Sequence, residues 1–181
     1  MTEIRRALER DPLDPFYNSL LGYLLHSARR FEAAIAQLHH AIELAPSFFF
    51  AYWFLSATYA MNGSLAEAFT AAKRANELSA GHALTLGSLG SNCGRIGLAA
   101  EARQVLEELV ERRRSTYVPA SALAWAHFGV GDQHESREWI ARGIDERDPI
   151  IVTALKSAPI YDGLRLHPRF PDLLRKMNLE P

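Results

Sequence analysis

The sequence predicts an all-α chain: a right-handed solenoid of antiparallel helix pairs, made of four 34-residue repeats, a half repeat before them and a C-terminal cap after them. Three observations predict it. The first is a fixed period. Leu21, Leu55, Leu89 and Leu123 fall 34 residues apart, as do Ala34, Ala68, Ala102 and Ser136, and as do Arg29, Gly63, Gly97 and Gly131; a period of this length is the signature of a helical repeat array. The second is the spacing between those landmarks. Phe31, Ala34, Ile35, Leu38, Ala41 and Ile42 return every three or four residues, which places them on one face of a helix. The third is punctuation. Pro12 and Pro46 end helical stretches in the same register, no useful strand-like alternation occurs, and the links are short, so the repeats are expected to form one continuous domain.

Taken in order, residues 1–14 are expected to be the second half of a repeat, with Ile4, Ala7 and Leu8 on one face and Pro12 as its stop. A helix without its pairing partner leaves an apolar face uncovered. From this we expect the chain to be part of a longer protein, or the helix to be covered by something else. Residues 15–48 form the first whole repeat. Asp14-Pro15 reads as an N-cap followed by proline at the first helical position, and Ala28-Arg29-Arg30 makes the turn without the glycine of the sister repeats. Residues 49–82 repeat the pattern with an aromatic first helix (Tyr52, Leu55, Tyr59) and an alanine-rich second one (Ala68, Ala72, Ala75). Residues 83–116 carry Gly87, Gly90, Gly94 and Gly97 in or just after their first helix. Glycine inside a helix costs about 0.5–1 kcal/mol relative to alanine, so this helix is expected to depend on its neighbours, which its small residues allow to approach closely.

Residues 117–150 complete the fourth repeat, with Asp132 read as an N-cap whose capping box Glu135 closes, and Asp148-Pro149 as a further cap-plus-proline start. The segment 151–181 leaves the period: a short helix around Val152 and Leu155, a break at Ala158-Pro159, and a last amphipathic helix from Phe170 to Met177. A terminal unit with a different pattern is what an array needs to cap its end.

With 181 residues, 48% hydrophobic and 23% charged, the composition is that of an ordinary soluble domain, and a net charge of −1 gives no support for nucleic-acid or membrane attraction. The single cysteine, Cys93, excludes an internal disulfide framework. The start MTEIRRALER lacks the apolar core of a signal peptide. A cytoplasmic location is the default expectation.

On these residues the repeats resemble the tetratricopeptide repeat family. The family's leucine place is filled in all four units, and its adjoining small place holds Gly22, Ser56, Gly90 and Ala124. The two small positions of the second helix hold Ala34, Ala68, Ala102 and Ser136, then Ala41, Ala75, Leu109 and Gly143. Only Pro12 and Pro46 keep the terminal proline and only Tyr59 the tyrosine; Leu109, Ala80 and Arg114 depart from the pattern. The tail from Pro159 to Met177 resembles a closing segment that follows such repeats in multidomain bacterial regulators, which carry a winged-helix, kinase or cyclase domain.

The resemblance implies an inner surface lined by first-helix residues, and a partner-binding groove made of Tyr23, His26, Phe50, Trp53, Phe54, Met61, Arg95, Trp125 and Phe128. The lysine–asparagine–arginine clamp with which some such repeats hold a terminal carboxylate is absent, Arg95 being the only cation among these positions. An aromatic groove suits an apolar or amphipathic protein segment, and truncating Trp53 and Trp125 is expected to remove binding while sparing helicity. The plainer alternative is that these aromatics pack between helices or under the cap.

Other constellations carry less. His39 and Glu43 are spaced as a pair on one surface helix, too few for a closed metal site. Cys93 falls on a packing position. Asp132, His134 and Ser136 are too close in sequence for a triad, and no phosphate-cradling loop occurs. Arg165, His167, Arg169, Arg175 and Lys176 give the tail a basic bias that Asp162, Asp172 and Glu180 dilute. The expectation is therefore a non-enzymatic protein-interaction module, without cofactor or metal, serving as the sensory or scaffolding end of a larger bacterial regulator. Its partner would be a protein or peptide segment, with no direct nucleic acid and no membrane; the alternative is a homo-oligomerisation module that buries the groove in a homodimer.

Overall fold

The computed structural model describes residues 2–179, so Glu180 of the tail lies outside the described residues. The chain groups into two compact units, Met1–Thr85 and Leu86–Pro181, where the sequence leads one to expect a single continuous domain. Each unit is described by itself. The secondary structure of the described residues is entirely helical, as expected, and none of their helices is long and apolar enough to cross a membrane.

The first unit holds α1 (Thr2–Arg10), α2 (Pro15–Ser27), α3 (Phe31–Leu44), α4 (Phe49–Asn62) and α5 (Leu65–Leu78). The start of α2 is built as its sequence dictates: Pro15 occupies the first turn and Asp14 Oδ1 accepts from the Tyr17 amide at 2.9 Å. One turn on, the buried Asn18 side chain donates to the carbonyls of Pro12 (2.9 Å) and Asp14 (2.8 Å) and accepts from Gln37 Nε2 at 2.7 Å. That amide therefore fastens the entry of α2 onto α3. The two helices meet through a notch. A Cβ on Gly22 would lie 2.5 Å from Leu38 Cγ, so the small place of the repeat exists to admit a fully buried leucine. Leu38, Leu55 and Ala71 form the core among α3, α4 and α5, with Ile35, Ile42, Phe54 and Tyr59 packed against it. Burying one such leucine contributes roughly 1.5–3 kcal/mol. Ala68, Ala71, Ala72 and Ala75 present the buried face of α5, small enough for α4 to lie close.

The second unit holds α6 (Ala83–Arg95) from Leu86 onward, α7 (Ala99–Arg113), α8 (Ala120–Gly129), α9 (Gln133–Asp145) and α10 (Pro149–Ala154). A 3₁₀ turn (Pro159–Tyr161) follows, then α11 (Asp162–Arg165) and α12 (Phe170–Lys176). Here the close approach expected of the glycine-rich helix is met: α6 and α8 touch backbone to backbone. A Cβ on Gly87 would stand 2.5 Å from the Ala122 carbonyl oxygen. Cβ atoms on Gly94 and Gly129 would fall under 3.0 Å from the carbonyls of Gly129 and Gly90 respectively.

Asp132 caps α9 by accepting from the Glu135 amide at 3.0 Å. The capping box is not closed, because the Asp132 amide donates instead to the His127 carbonyl at 2.9 Å. Asp148 caps α10 and does more. Its fully buried carboxylate accepts from Ile150 (2.9 Å) and Ile151 (3.3 Å) through one oxygen and from the Ser121 amide (2.8 Å) through the other. One side chain thus starts α10 and ties it to the first turn of α8. The tail lies on α8, α9 and α10: Ile140, Ile144, Ile151, Leu155, Tyr161, Leu164 and Leu173 share one core. Its basic residues are paired, Arg165 with Asp162, Arg169 with Glu138, Arg175 with Asp172 and Lys176 with Asp145.

Candidate functional site

In the first unit the predicted groove residues come together on α2 and α4. Positions four or three apart share a helix face, and the rings of the two helices interleave. Phe54 stacks on Tyr23 across the pair, centroids 4.9 Å apart at 29°, and on Trp53 along its own helix at 5.3 Å and 25°. Phe50 lies 6.1 Å from both Trp53 and Phe54, stacks on Phe49 at 4.2 Å, and meets Phe16 of α2 edge-on at 6.5 Å. Each such pair adds about 0.5–1.5 kcal/mol beyond its area. The ladder is self-supporting and also displayed: Phe16 is 47% exposed, while Tyr23, Phe50, Phe54 and Met61 are half-buried.

Two predicted groove residues of this unit are different in kind. Trp53 is 7% and His26 3% exposed, so they form the floor beneath the ladder rather than its surface. His26 stacks on Tyr23 at 6.1 Å and tilts against Phe31 at 5.8 Å, with no hydrogen-bond partner at Nδ1. Burial, reinforced by the nearby Arg29 charge, pulls its pKa from 6.5 down to about 4, so the ring is neutral at pH 7. Burial likewise raises the Tyr23 phenol above its ordinary value.

In the second unit the predicted residues are Arg95 on α6 and Trp125 and Phe128 on α8. Trp125 is 9% exposed and belongs to the packing. The expectation that truncating Trp53 and Trp125 spares the fold is corrected on this point: both rings are buried, and removing a buried aromatic costs about 3–5 kcal/mol. Phe128 is 38% exposed, and the Arg95 guanidinium lies 5.0 Å above its ring centroid. Burial lowers the Arg95 pKa from its usual value.

A second concavity in the first unit went unread in the sequence. It has a volume of about 550 Å³ and lies over α3, α4 and α5, between Ile42, Tyr52, Leu55, Tyr59, Ala71 and Arg74. Exposed Ala66 and Thr70 of α5 lie beside the half-buried Tyr59 of α4 along it. His39 Nε2 lies 2.9 Å from the Tyr59 hydroxyl at its rim, so Glu43 approaches His40 instead, at 3.8 Å. Among the described residues no group of three or more His, Cys, Asp or Glu side chains is placed to hold a metal ion. Cys93 is buried, and that burial raises its thiol pKa.

Stacked helix pairs with a displayed first-helix face define a helical-repeat protein. Residues 17–48 match the tetratricopeptide repeat family model. No curated protein matches the chain. Several solved structures share the fold. One is the crystal structure of MamA protein, 19% identical over 86% of this chain and 85% of that one, with a TM-score of 0.53. Another is that of YrrB, described as a TPR protein with an unusual peptide-binding site, 19% identical over 96% of this chain and 90% of that one, with a TM-score of 0.55.

Proposed function

We propose that the chain is a non-catalytic protein-interaction module whose first-helix face binds an apolar or amphipathic protein segment. One observation carries this: the Tyr23–Phe54–Phe50–Phe16 ladder remains partly open to solvent although its rings are already ordered by stacking. Rigid aromatic side chains, fixed before the partner arrives, present apolar area without a large entropy cost on binding, which is how hot spots are made. The match to the tetratricopeptide repeat family model at 17–48 supports the same reading, as does the description of YrrB as a TPR protein with a peptide-binding site. The tail's resemblance to closing segments of bacterial regulators supports placing this module within a larger regulator.

Peptides selected on the full chain from a random linear library provide the test. The Phe50→Ala/Phe54→Ala variant is expected to weaken a selected peptide about thirtyfold, as loss of a hot spot does, while far-UV circular dichroism stays helical. Unchanged affinity sinks the assignment. Light scattering separates it from self-association, which predicts a dimer that the same variant dissociates.

A further inference from the structure

We propose that Arg95, set against Phe128, receives an acidic side chain of a protein segment bound at the second unit, with an apolar residue next to that acid lying on the exposed part of the Phe128 ring. The proposal rests on the protein-interaction reading above and adds the chemistry of a partner segment at the second unit.

Three other half-buried arginines of the second unit, Arg112, Arg113 and Arg165, have a carboxylate beside them. Arg113 faces the same problem as Arg95: its guanidinium lies over an aromatic ring, Trp139, at 4.8 Å. There the charge is answered twice, by the Glu146 carboxylate and by the Val118 carbonyl. Arg112 is answered by Glu108 and Arg165 by Asp162, whereas Arg142, over Trp139 at 4.6 Å, is exposed to water. Arg95 has its ring, Phe128 at 5.0 Å, and among the described residues no carboxylate within 4.0 Å. It is nonetheless half-buried, and burial is the cause that shifts its titration. Arginine cannot discharge itself to escape that environment. A half-desolvated guanidinium over a ring is a charge with its apolar side satisfied and its hydrogen-bonding side unanswered, and a carboxylate is the group whose geometry fits it, bidentately.

The source of the carboxylate follows from the surroundings. Arg95 is the only cation among the first-helix face positions Ser88, Ser91, Arg95, Ser121, Trp125 and Phe128. A chain end would need donors for its carboxylate beside an apolar pocket for its last side chain, and no second cation stands here to share that load. A side-chain carboxylate, brought on its own stem to one guanidinium, needs only what is present. Phe128 then offers 38% of its surface to the neighbouring residue of the segment, which is apolar by the same logic.

Random linear peptides selected on the full chain, resynthesised with both ends blocked by acetyl and amide groups, test this directly. Selected sequences are expected to share an Asp or Glu beside an aliphatic or aromatic residue. Arg95→Gln is expected to weaken such a peptide about tenfold or more, and Arg95→Glu further, with affinity returning when the peptide's acid is changed to arginine. Replacing the peptide's Glu by Gln on the unaltered protein reads the same interaction without touching the fold. If selected peptides carry no acidic preference and Arg95→Gln binds equally well, while Phe50→Ala/Phe54→Ala still weakens them, the Arg95 assignment is overturned and the aromatic face stands. If binding requires a free C-terminal carboxylate, the side-chain assignment is overturned. If no peptide responds to either variant, both readings fall together.

Discussion

The two units build the same helix pair with opposite materials at the first-helix contact. In the first unit α2 and α4 meet through rings, Tyr23 on Phe54 and Phe16 on Phe50. In the second, α6 and α8 meet backbone to backbone, Gly87 against Ala122 and Gly94 against Gly129. The 34-residue register makes the contrast exact by position: His26 in the first repeat stands where Gly94 stands in the third. Rings hold helices apart and leave aromatic surface between them, whereas glycines draw helices together and leave none. The display of Phe50 and Phe54 is therefore a consequence of how the first unit packs.

Adding one methyl group breaks the second unit's solution. In an open helix Gly94→Ala gains about 0.5–1 kcal/mol from lost chain entropy. Here the new Cβ collides with the Gly129 carbonyl, a backbone atom that no rotamer change can move, and forcing a packed contact apart costs about 3 kcal/mol. The collision wins. The net loss of about 2–2.5 kcal/mol is expected to lower Tm by roughly 4–10 °C in calorimetry, at about 2–4 °C per kcal/mol for a chain of this size. A rise in Tm would mean that α6 and α8 do not touch as described.

The corresponding bulk in the first unit has a pH signature. His26 is held near pKa 4 in the folded chain against about 6.5 unfolded, chiefly by burial. Between those values the unfolded state binds a proton that the folded state refuses, so stability falls as pH is lowered from about 6.5 to about 4 and is flat above that window. The full effect is up to about 3 kcal/mol, at about 1.4 kcal/mol per unit. His26→Gln is expected to flatten the urea-midpoint profile over that window, and an unchanged slope would assign it to other groups.

Much of this was legible beforehand, and the limits have physical causes. Period, proline stops and cap-plus-proline starts fixed the helices, because Asp14 and Asp148 act on their own chain neighbours and their role is written locally. The notch at Gly22 and the backbone contact at Gly94 were legible as smallness, though not as particular partners. Trp53, Trp125 and His26 were placed on a surface because register gives the direction a side chain leaves its helix, while burial depends on what the neighbouring helix brings opposite. The groove over α3, α4 and α5 was missed for the complementary reason: it is made of space between side chains, which no single residue announces. The absence of a carboxylate around Arg95 is a property of the packed unit, and sequence showed only that the residue was the sole cation on its face.

The smallest effect tests the register itself. Gly63, Gly97 and Gly131 end their first helices with φ of 86°, 85° and 82°, and Arg29 ends α2 in the same place with φ of 60°. The left-handed conformation costs a side-chain-bearing residue roughly 1–2 kcal/mol, and the Arg30 amide still closes the turn onto the Leu25 carbonyl at 2.9 Å as in the sister repeats. Arg29→Gly relieves that strain but frees the unfolded chain, a loss of about 0.4–1 kcal/mol, so the net gain lies between about zero and about 1.6 kcal/mol. It also removes the charge that helps hold His26 neutral, so the pH slope of the first unit shrinks in the same variant. Gly97→Ala, the reverse change in the second unit, is expected to lose about 1 kcal/mol, with open space around the new Cβ leaving backbone strain as its cause. Opposite signs in the two variants, read as urea midpoints at pH 7, are what a shared turn demands; equal signs would show that the Arg29 turn is held by its side chain and is not the same turn.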